Sequence, residues 1–295
     1  MSFFSLTIIA SVVIAFTLLL FGVYFYVKRQ VGALPFNQPE TRNLSEKARK
    51  KVICVGDSIT QGTRSFDYVR HLSDKNSGVT FINAGYSNDL AWNVLQRLDP
   101  VISLQPDFIT LLIGSFEVDA ILTKKNNKRY VKTNGLPQPP SPDWFKENLE
   151  LILQKLLVET TAKLALISPP LVGEDLNEDS NYWTAEYSAI IKTVAHEYGV
   201  AYLPLNERER ELLHSLNHSS RCSYKKGRRL YRKAAFNRYV LGKSWDNISK
   251  KNGFLLTPDL LHKNSKGGKI IVHLIEKFVS RVDDKQENVE AKVLG

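Results

Sequence analysis

The sequence predicts an α/β fold, a three-layer arrangement with a five-stranded parallel sheet covered by helices on both faces, preceded by one N-terminal transmembrane helix. Two observations carry this. From residue 50 onward, short apolar runs alternate with longer segments of helical periodicity, and strands separated by whole helices need crossover connections, which build parallel sheets. Before Lys28 the chain has no charged side chain and runs almost continuously apolar from about Leu6. That is roughly the 20 residues a helix needs to cross the hydrocarbon of a bilayer.

Taken in order, residues 1–29 read as a transmembrane anchor. Its first residues carry no Lys or Arg, and the apolar run is longer than the ~7–15 residues of a secretory signal. Tyr24, Phe25 and Tyr26 suit an interfacial aromatic belt better than a cleavage site; a cleaved signal peptide is the alternative. Lys28, Arg29, Arg42, Lys47, Arg49, Lys50 and Lys51 all follow the apolar run, which favours a single-pass protein with its globular domain in the cytoplasm. N-x-S triplets at Asn43, Asn217 and Asn247 argue for the lumenal or extracellular side. Residues 30–49, with Pro35 and Pro39, read as a juxtamembrane linker.

The globular domain is expected over 50–284 and a polar, frayed tail over 285–295. Val52–Val55, Val79–Asn83, Phe108–Ile113, Leu164–Ser168 and Val200–Leu203 read as five strands. The clearest helices are Leu90–Leu98, Asp143–Thr161, Tyr182–Tyr198 and Lys266–Val282. In such a sheet, ligands bind at the carboxyl ends of the strands. A composition of 43% hydrophobic and 24% charged residues is that of an ordinary globular protein. Cys54 and Cys222 imply no disulfide framework, and Cys54 reads as a small buried hydrophobe.

The first strand leads straight into Gly56-Asp57-Ser58-Ile59-Thr60-Gln61-Gly62. This places a serine hydroxyl on a strand-to-helix turn, where the first N–H groups of the helix can stabilise an oxyanion. A plain turn with Ser58 as helix cap is the competing reading. Near the chain's end, Thr257-Pro258-Asp259-Leu260-Leu261-His262 puts a carboxylate three residues before an imidazole. The carboxylate can hold the ring in one tautomer while its other nitrogen serves a hydroxyl. The other five histidines sit in helical or polar settings and read as structural.

These strings resemble the conserved blocks of the SGNH/GDSL hydrolases. Gly56-Asp57-Ser58-Ile59-Thr60-x-Gly62 is similar to the first block, and Asp259-x-x-His262-x-Asn264-x-x-Gly267 to the last. Phe81–Asp89 resembles the second block, Leu112–Val118 the third, and Ile167-Ser168-Pro169-Pro170 a further common stretch. The resemblance implies a flavodoxin-like α/β/α domain that hydrolyses esters or related acyl groups through an acyl-enzyme, with no metal or organic cofactor. Ser58 is then the nucleophile, His262 the base and Asp259 its orienting acid. The oxyanion hole is implied at the backbone N–H groups of Ser58 and Asn88.

Two positions depart from the family pattern. Asn88 stands where the oxyanion glycine belongs, and Phe116 replaces the asparagine that donates its side chain. Asn88 keeps a backbone N–H and tolerates a left-handed backbone, and its carboxamide is a candidate to replace the amide missing at 116. Losing one oxyanion donor costs about 2.7–4 kcal/mol, so a slow enzyme is expected, with a catalytically impaired ligand-binding or membrane-surface protein as the alternative.

Residues 221–251 hold eleven Lys or Arg against one acid, Asp246. A solvated basic face is the plainest account. Contact with anionic lipid comes second, given the neighbouring anchor, and nucleic acid is disfavoured. Leu230, Phe236, Val240 and Trp245 are expected to pack this segment on the domain as a helix. The polar stretch Leu122–Pro142 reads as a loop shaping the pocket for a small or lipid-like acyl ester.

Overall fold

The computed structural model describes residues 3–33, 50–220, 222–224 and 227–293. Helix α1 (Phe3–Val31) is followed by β1 (Lys50–Gly56), α2 (Ser58–Gln61), α3 (Tyr68–Lys75) and β2 (Val79–Gly85). Next come α4 (Ala91–Leu95), α5 (Asp99–Ser103), β3 (Phe108–Leu112), α6 (Ser115–Ile121), α7 (Lys124–Asn134), α8 (Pro142–Glu159) and β4 (Lys163–Ile167). The chain ends through α9 (Asp179–Glu197), β5 (Ala201–Leu203), α10 (Leu205–Ser215), α11 (Gly227–Tyr239), α12 (Trp245–Asn252) and α13 (Ser265–Val293).

All five expected strands form, and they pair in parallel in the order β2-β1-β3-β4-β5. This is the flavodoxin-like order, whose topological switch lies between β1 and β3. Side chains alternate across the sheet. Ile53, Val55, Ile82 and Ile109 enter one core with α4, α8 and α9, while Val52, Cys54, Phe81 and Phe108 enter another with α3 and α13. Both faces are therefore dry, which explains why the strands read as continuous apolar runs. Cys54 and Cys222 are free thiols, and burial pushes the Cys54 thiol up to about 12, so it is inert at neutral pH.

Several boundaries differ from expectation. The expected helix Leu90–Leu98 is the shorter α4, and a second short helix, α5, with Pro100 in its first turn, follows beyond that span. The polar stretch read as a loop contains helix α7, capped by the Thr123 hydroxyl and closed at Gly135, where φ is 62°. Its polarity hid it, because only Tyr130 on it is buried. Helix α13 continues to Val293, into the segment read as a frayed tail. The linker expected over 30–49 lies mostly outside the described residues.

Over Ser11–Val31, α1 is long and apolar enough to cross a membrane. A signal sequence passes the same test of length and composition. The helix stands free of the domain except near its end, where Val31 is buried.

Candidate active site

The site lies where β1 ends. Gly56 allows the turn because a Cβ there would sit 2.3 Å from Thr60 Oγ1 and 2.4 Å from the Leu112 carbonyl. Asp57 caps α2 by accepting from the Ile59 N–H at 2.8 Å, and Ser58 is the first helical residue. The opposite wall is the loop ahead of α13. There Asp259 Oδ1 accepts from the His262 N–H at 2.9 Å and the Leu261 N–H at 3.2 Å. This closes a tight turn that forces Leu260 to φ 74°, a strained conformation for a branched side chain.

The structure brings the sequence-predicted trio together. Ser58 Oγ lies 2.9 Å from His262 Nε2, and His262 Nδ1 lies 2.8 Å from Asp259 Oδ2. All three are buried. Burial alone would raise the Asp259 carboxyl. The neighbouring His262 and hydrogen bonds from its ring and from the 261–262 backbone outweigh that and hold it below the usual carboxylate value. The acid is therefore ionised, Nδ1 carries the ring proton toward it, and the Nε2 lone pair faces the serine.

Several residues that the sequence reading passed over hold these walls in place. Glu174 is buried, and its carboxylate accepts from the N–H groups of Leu255, Leu256 and Thr257, the Thr257 hydroxyl and His218 Nε2, all within 2.7–2.9 Å. Lys263, next to the histidine, is buried and pairs with buried Glu209 at 3.0 Å. Burial pushes the Glu209 carboxyl up and Lys263 pulls it back. Ser65 Oγ accepts from the Lys263 N–H at 2.9 Å, and the Lys263 carbonyl accepts from the Phe66 N–H at 2.7 Å, stitching the two walls together.

The Asn88 side of the site is built differently. Asn88 has φ 69°, the left-handed backbone its amide was expected to tolerate. The backbone N–H groups of Ser58 and Asn88 donate to no other described residue, so both are available to an oxyanion. Arg97 ties this loop to β1: its Nε meets Asp89 at 2.6 Å, and its terminal nitrogens donate to the carbonyls of Ala84 and Gly56. Asn134 Nδ2 donates to the Asn88 carbonyl at 2.6 Å. Phe116 offers no donor; it is buried in the core and meets the Tyr130 ring edge-on.

Two buried acids flank the same edge. Glu117 accepts from the Ala91 N–H at 2.6 Å, capping α4, while its second oxygen has no partner among the described residues. Burial pushes its carboxyl up to about 8, and burial likewise takes Asp57 to about 7. Glu117 is therefore largely protonated at neutral pH, and Asp57 is shared about equally between its two forms. Over the relay lies α11, whose Tyr231 ring meets the His262 imidazole edge-on with centroids 5.7 Å apart. Tyr231 shares a hydrogen bond of 2.6 Å with Tyr224, which donates to Asp119 at 2.9 Å. Beside Tyr224, a cavity of about 260 Å³ is lined by Leu122, Asn177, Glu178 and Ser180 among others.

The segment expected to pack through Leu230, Phe236, Val240 and Trp245 forms α11 and α12, and Leu230 packs against the core as expected, with Trp245 half-buried. Ala234, Ala235 and Asn237 are buried, whereas Phe236 and Val240 point outward. Small alanines allow the helix to lie close to the domain beside Leu230 and Tyr231, and Phe236 and Val240 are left on the far face. Among the described residues, no group of His, Cys, Asp and Glu could hold a metal ion.

Comparison with solved structures supports the fold. The acetylxylan esterase Axe2 from Geobacillus stearothermophilus superposes with a TM-score of 0.54 at 16% identity, over 79% of this chain and 95% of the other. The acetyl xylan esterase AlAXEase gives a TM-score of 0.53 at 22% identity, over 78% of this chain and 99% of the other. Solved forms of Axe2 include catalytic mutants at a serine, an aspartate and a histidine. No curated protein sequence matches significantly. Residues 54–223 match the GDSL-like lipase/acylhydrolase family, and with more than half of its length in that match the chain belongs to this family.

Proposed function

We propose that the protein is a membrane-anchored serine hydrolase that cleaves an acyl ester through an acyl-enzyme on Ser58. The observation that carries this is the unbroken series of hydrogen bonds from Ser58 to His262 to Asp259, at 2.9 and 2.8 Å. His262 Nε2 takes the hydroxyl proton as Oγ bonds to the ester carbonyl carbon. Asp259 stabilises the imidazolium, and the N–H groups of Ser58 and Asn88 receive the oxyanion. As the carbonyl re-forms, the C–O bond to the alcohol breaks, and the alcohol leaves with the proton from Nε2. Water then attacks the acyl-enzyme with His262 as base, releasing the carboxylic acid and restoring Ser58. The catalytic mutants of Axe2 at the same three residue types fit these roles.

With Phe116 in place of a carboxamide, turnover is expected to be about 100- to 1000-fold below that of a three-donor site. The same residue favours a second reading, an impaired hydrolase that binds its ligand at a membrane surface. The charge bias beyond α1 favours a cytoplasmic domain, and a membrane position favours a lipid-like acyl group. A fluorophosphonate, which bonds to an activated serine, separates the two readings. The full-length protein should be labelled, and Ser58→Ala or His262→Ala should each abolish labelling. A folded protein that resists the probe would leave the impaired reading standing.

A further inference from the structure

We propose that the outward face of α11 and the adjoining end of α1 form one docking surface for an anionic lipid bilayer, laying the Ser58 edge of the sheet on the membrane. The inference rests on the proposed hydrolase and on α1 as its anchor, and it adds the source of the substrate: an acyl ester drawn from that lipid surface.

Three observations converge on it. The end of α1 is fastened beside the candidate nucleophile. Gln61 Nε2 donates to the Ala33 carbonyl at 2.7 Å and Thr63 Oγ1 to the Val31 carbonyl at 2.8 Å, three and five residues past Ser58. The apolar helix therefore ends at the mouth of the site and not at the far side of the domain. Next, α11 packs against α1 and bridges to the relay, with Tyr231 on His262 and the Tyr239 hydroxyl donating to the Thr63 carbonyl.

The third observation is the character of the outward face. Arg229, Arg232, Lys233, Phe236 and Val240 follow helical spacing and are exposed, and Leu241 continues the patch. Phe236 is 44% and Leu241 52% exposed. None of these three cations has a carboxylate in ion-pair reach among the described residues. The nearest acid in sequence, Asp246, is engaged with the Ser265 N–H. Cations interleaved with exposed aromatic and aliphatic side chains suit the headgroup boundary, where the charges meet lipid phosphates and the apolar groups enter the acyl region. Each cation near such a surface contributes about fivefold (~1 kcal/mol) to partitioning. The cytoplasmic leaflet, to which the charge bias beyond α1 assigns the domain, is the anionic one.

A single-stranded nucleic acid fits less well. Such ligands stack successive bases on several outward aromatic rings, whereas this face presents the single ring of Phe236 among the described residues: Tyr224 is buried and Tyr231 and Tyr239 turn their hydroxyls into the domain. The arrangement also gives α11 a second effect. Ser58 is buried and α11 lies on its base through Tyr231, so a surface that engages the outer face of α11 also acts on the wall of the site.

The test uses the full-length protein reconstituted in phosphatidylcholine vesicles with or without 30 mol% phosphatidylserine. An environment-sensitive NBD dye on Leu241→Cys, in a Cys222→Ser background, should brighten severalfold only with phosphatidylserine. The triple variant Arg229→Glu/Arg232→Glu/Lys233→Glu or 0.5 M salt should erase the change, while Arg229→Lys/Arg232→Lys should keep it. In parallel, fluorophosphonate labelling should be about tenfold faster with phosphatidylserine, and that ratio should fall to about one in the triple Glu variant. A dye that stays at its solvent brightness, brightens equally in both vesicles, or responds to added RNA instead would overturn the docking surface. Absence of labelling with the dye response intact would sink the hydrolase reading and leave the surface standing.

Discussion

The two walls of the site are built on different terms. The relay wall is over-determined. Glu174 accepts five hydrogen bonds from or beside the 254–262 loop, Lys263 and Glu209 form a buried pair next to the histidine, and Leu260 is held at positive φ between the acid and the base. The Asn88 wall, where the proposed mechanism receives the oxyanion, is clamped through Arg97 and Asn134, yet it presents Phe116, which donates nothing, and carries a protonated acid at Glu117. Strain and buried charge survive only where the surrounding structure holds them, so the relay geometry is maintained at a cost. The contrast fits a hydrolase whose proton-transfer machinery is intact and whose transition-state charge is less well served.

The sharpest way to break that contrast is to restore the missing donor. Phe116→Asn is expected to raise kcat on a soluble ester by about 100-fold, by returning a donor worth about 2.7–4 kcal/mol. Removing a buried Phe costs about 3–5 kcal/mol of stability, so the melting temperature should fall in the same protein. Steady-state kinetics and thermal unfolding read both. No gain in kcat from a folded variant would mean that another donor, with the Asn88 carboxamide the first candidate, already completes the hole; Asn88→Gly would then lower kcat.

A smaller effect is expected on the relay wall. Glu174→Gln turns one acceptor oxygen into an NH2 group facing N–H donors, leaving buried groups unpaired at roughly 1–3 kcal/mol each. Because Glu174 touches neither Ser58 nor His262, the loss should appear as a roughly tenfold drop in kcat with KM nearly unchanged. A fall confined to thermal stability would show that the loop keeps its catalytic geometry without the clamp.

What the sequence revealed of these walls follows from how their parts are encoded. Ser58, Asp259 and His262 sit in short strings whose local spacing already states a chemistry, and the five strands announce themselves as apolar runs because both sheet faces are dry. Glu174 and Arg97 could not be found that way, since Glu174 meets its partners about 80 residues downstream and Arg97 reaches back 41 residues to Gly56. Nothing near either residue marks it. Helix α7 did leave a signal, Thr123 ahead of it and Gly135 behind, which the Lys- and Asn-rich stretch between them outweighed. In α11 Leu230 packs on the core as its apolar character predicts, but Phe236 and Val240 do not, because Ala234 and Ala235 take the close positions and their small side chains leave no hydrophobic pattern to read.

The smallest effect separates the walls by pH. Glu117 and Asp57, with carboxyls at about 8 and about 7, bind protons more tightly in the folded chain than in the unfolded one, where they titrate near 4.5 and 3.8. A raised acid contributes its stability fully below the unfolded value and loses it as pH climbs to the folded value. Asp259 acts in the opposite sense, since its depressed carboxyl stabilises the fold above the unfolded value and fails on acidification. Denaturant unfolding should therefore show stability declining between about pH 5 and pH 8, and Glu117→Gln should flatten that decline by keeping a neutral side chain on the Ala91 N–H. An unchanged slope in Glu117→Gln would place the pH dependence on Asp57, the acid that caps the serine's own helix, and Asp57→Asn, which preserves the cap, would then be the variant that removes it.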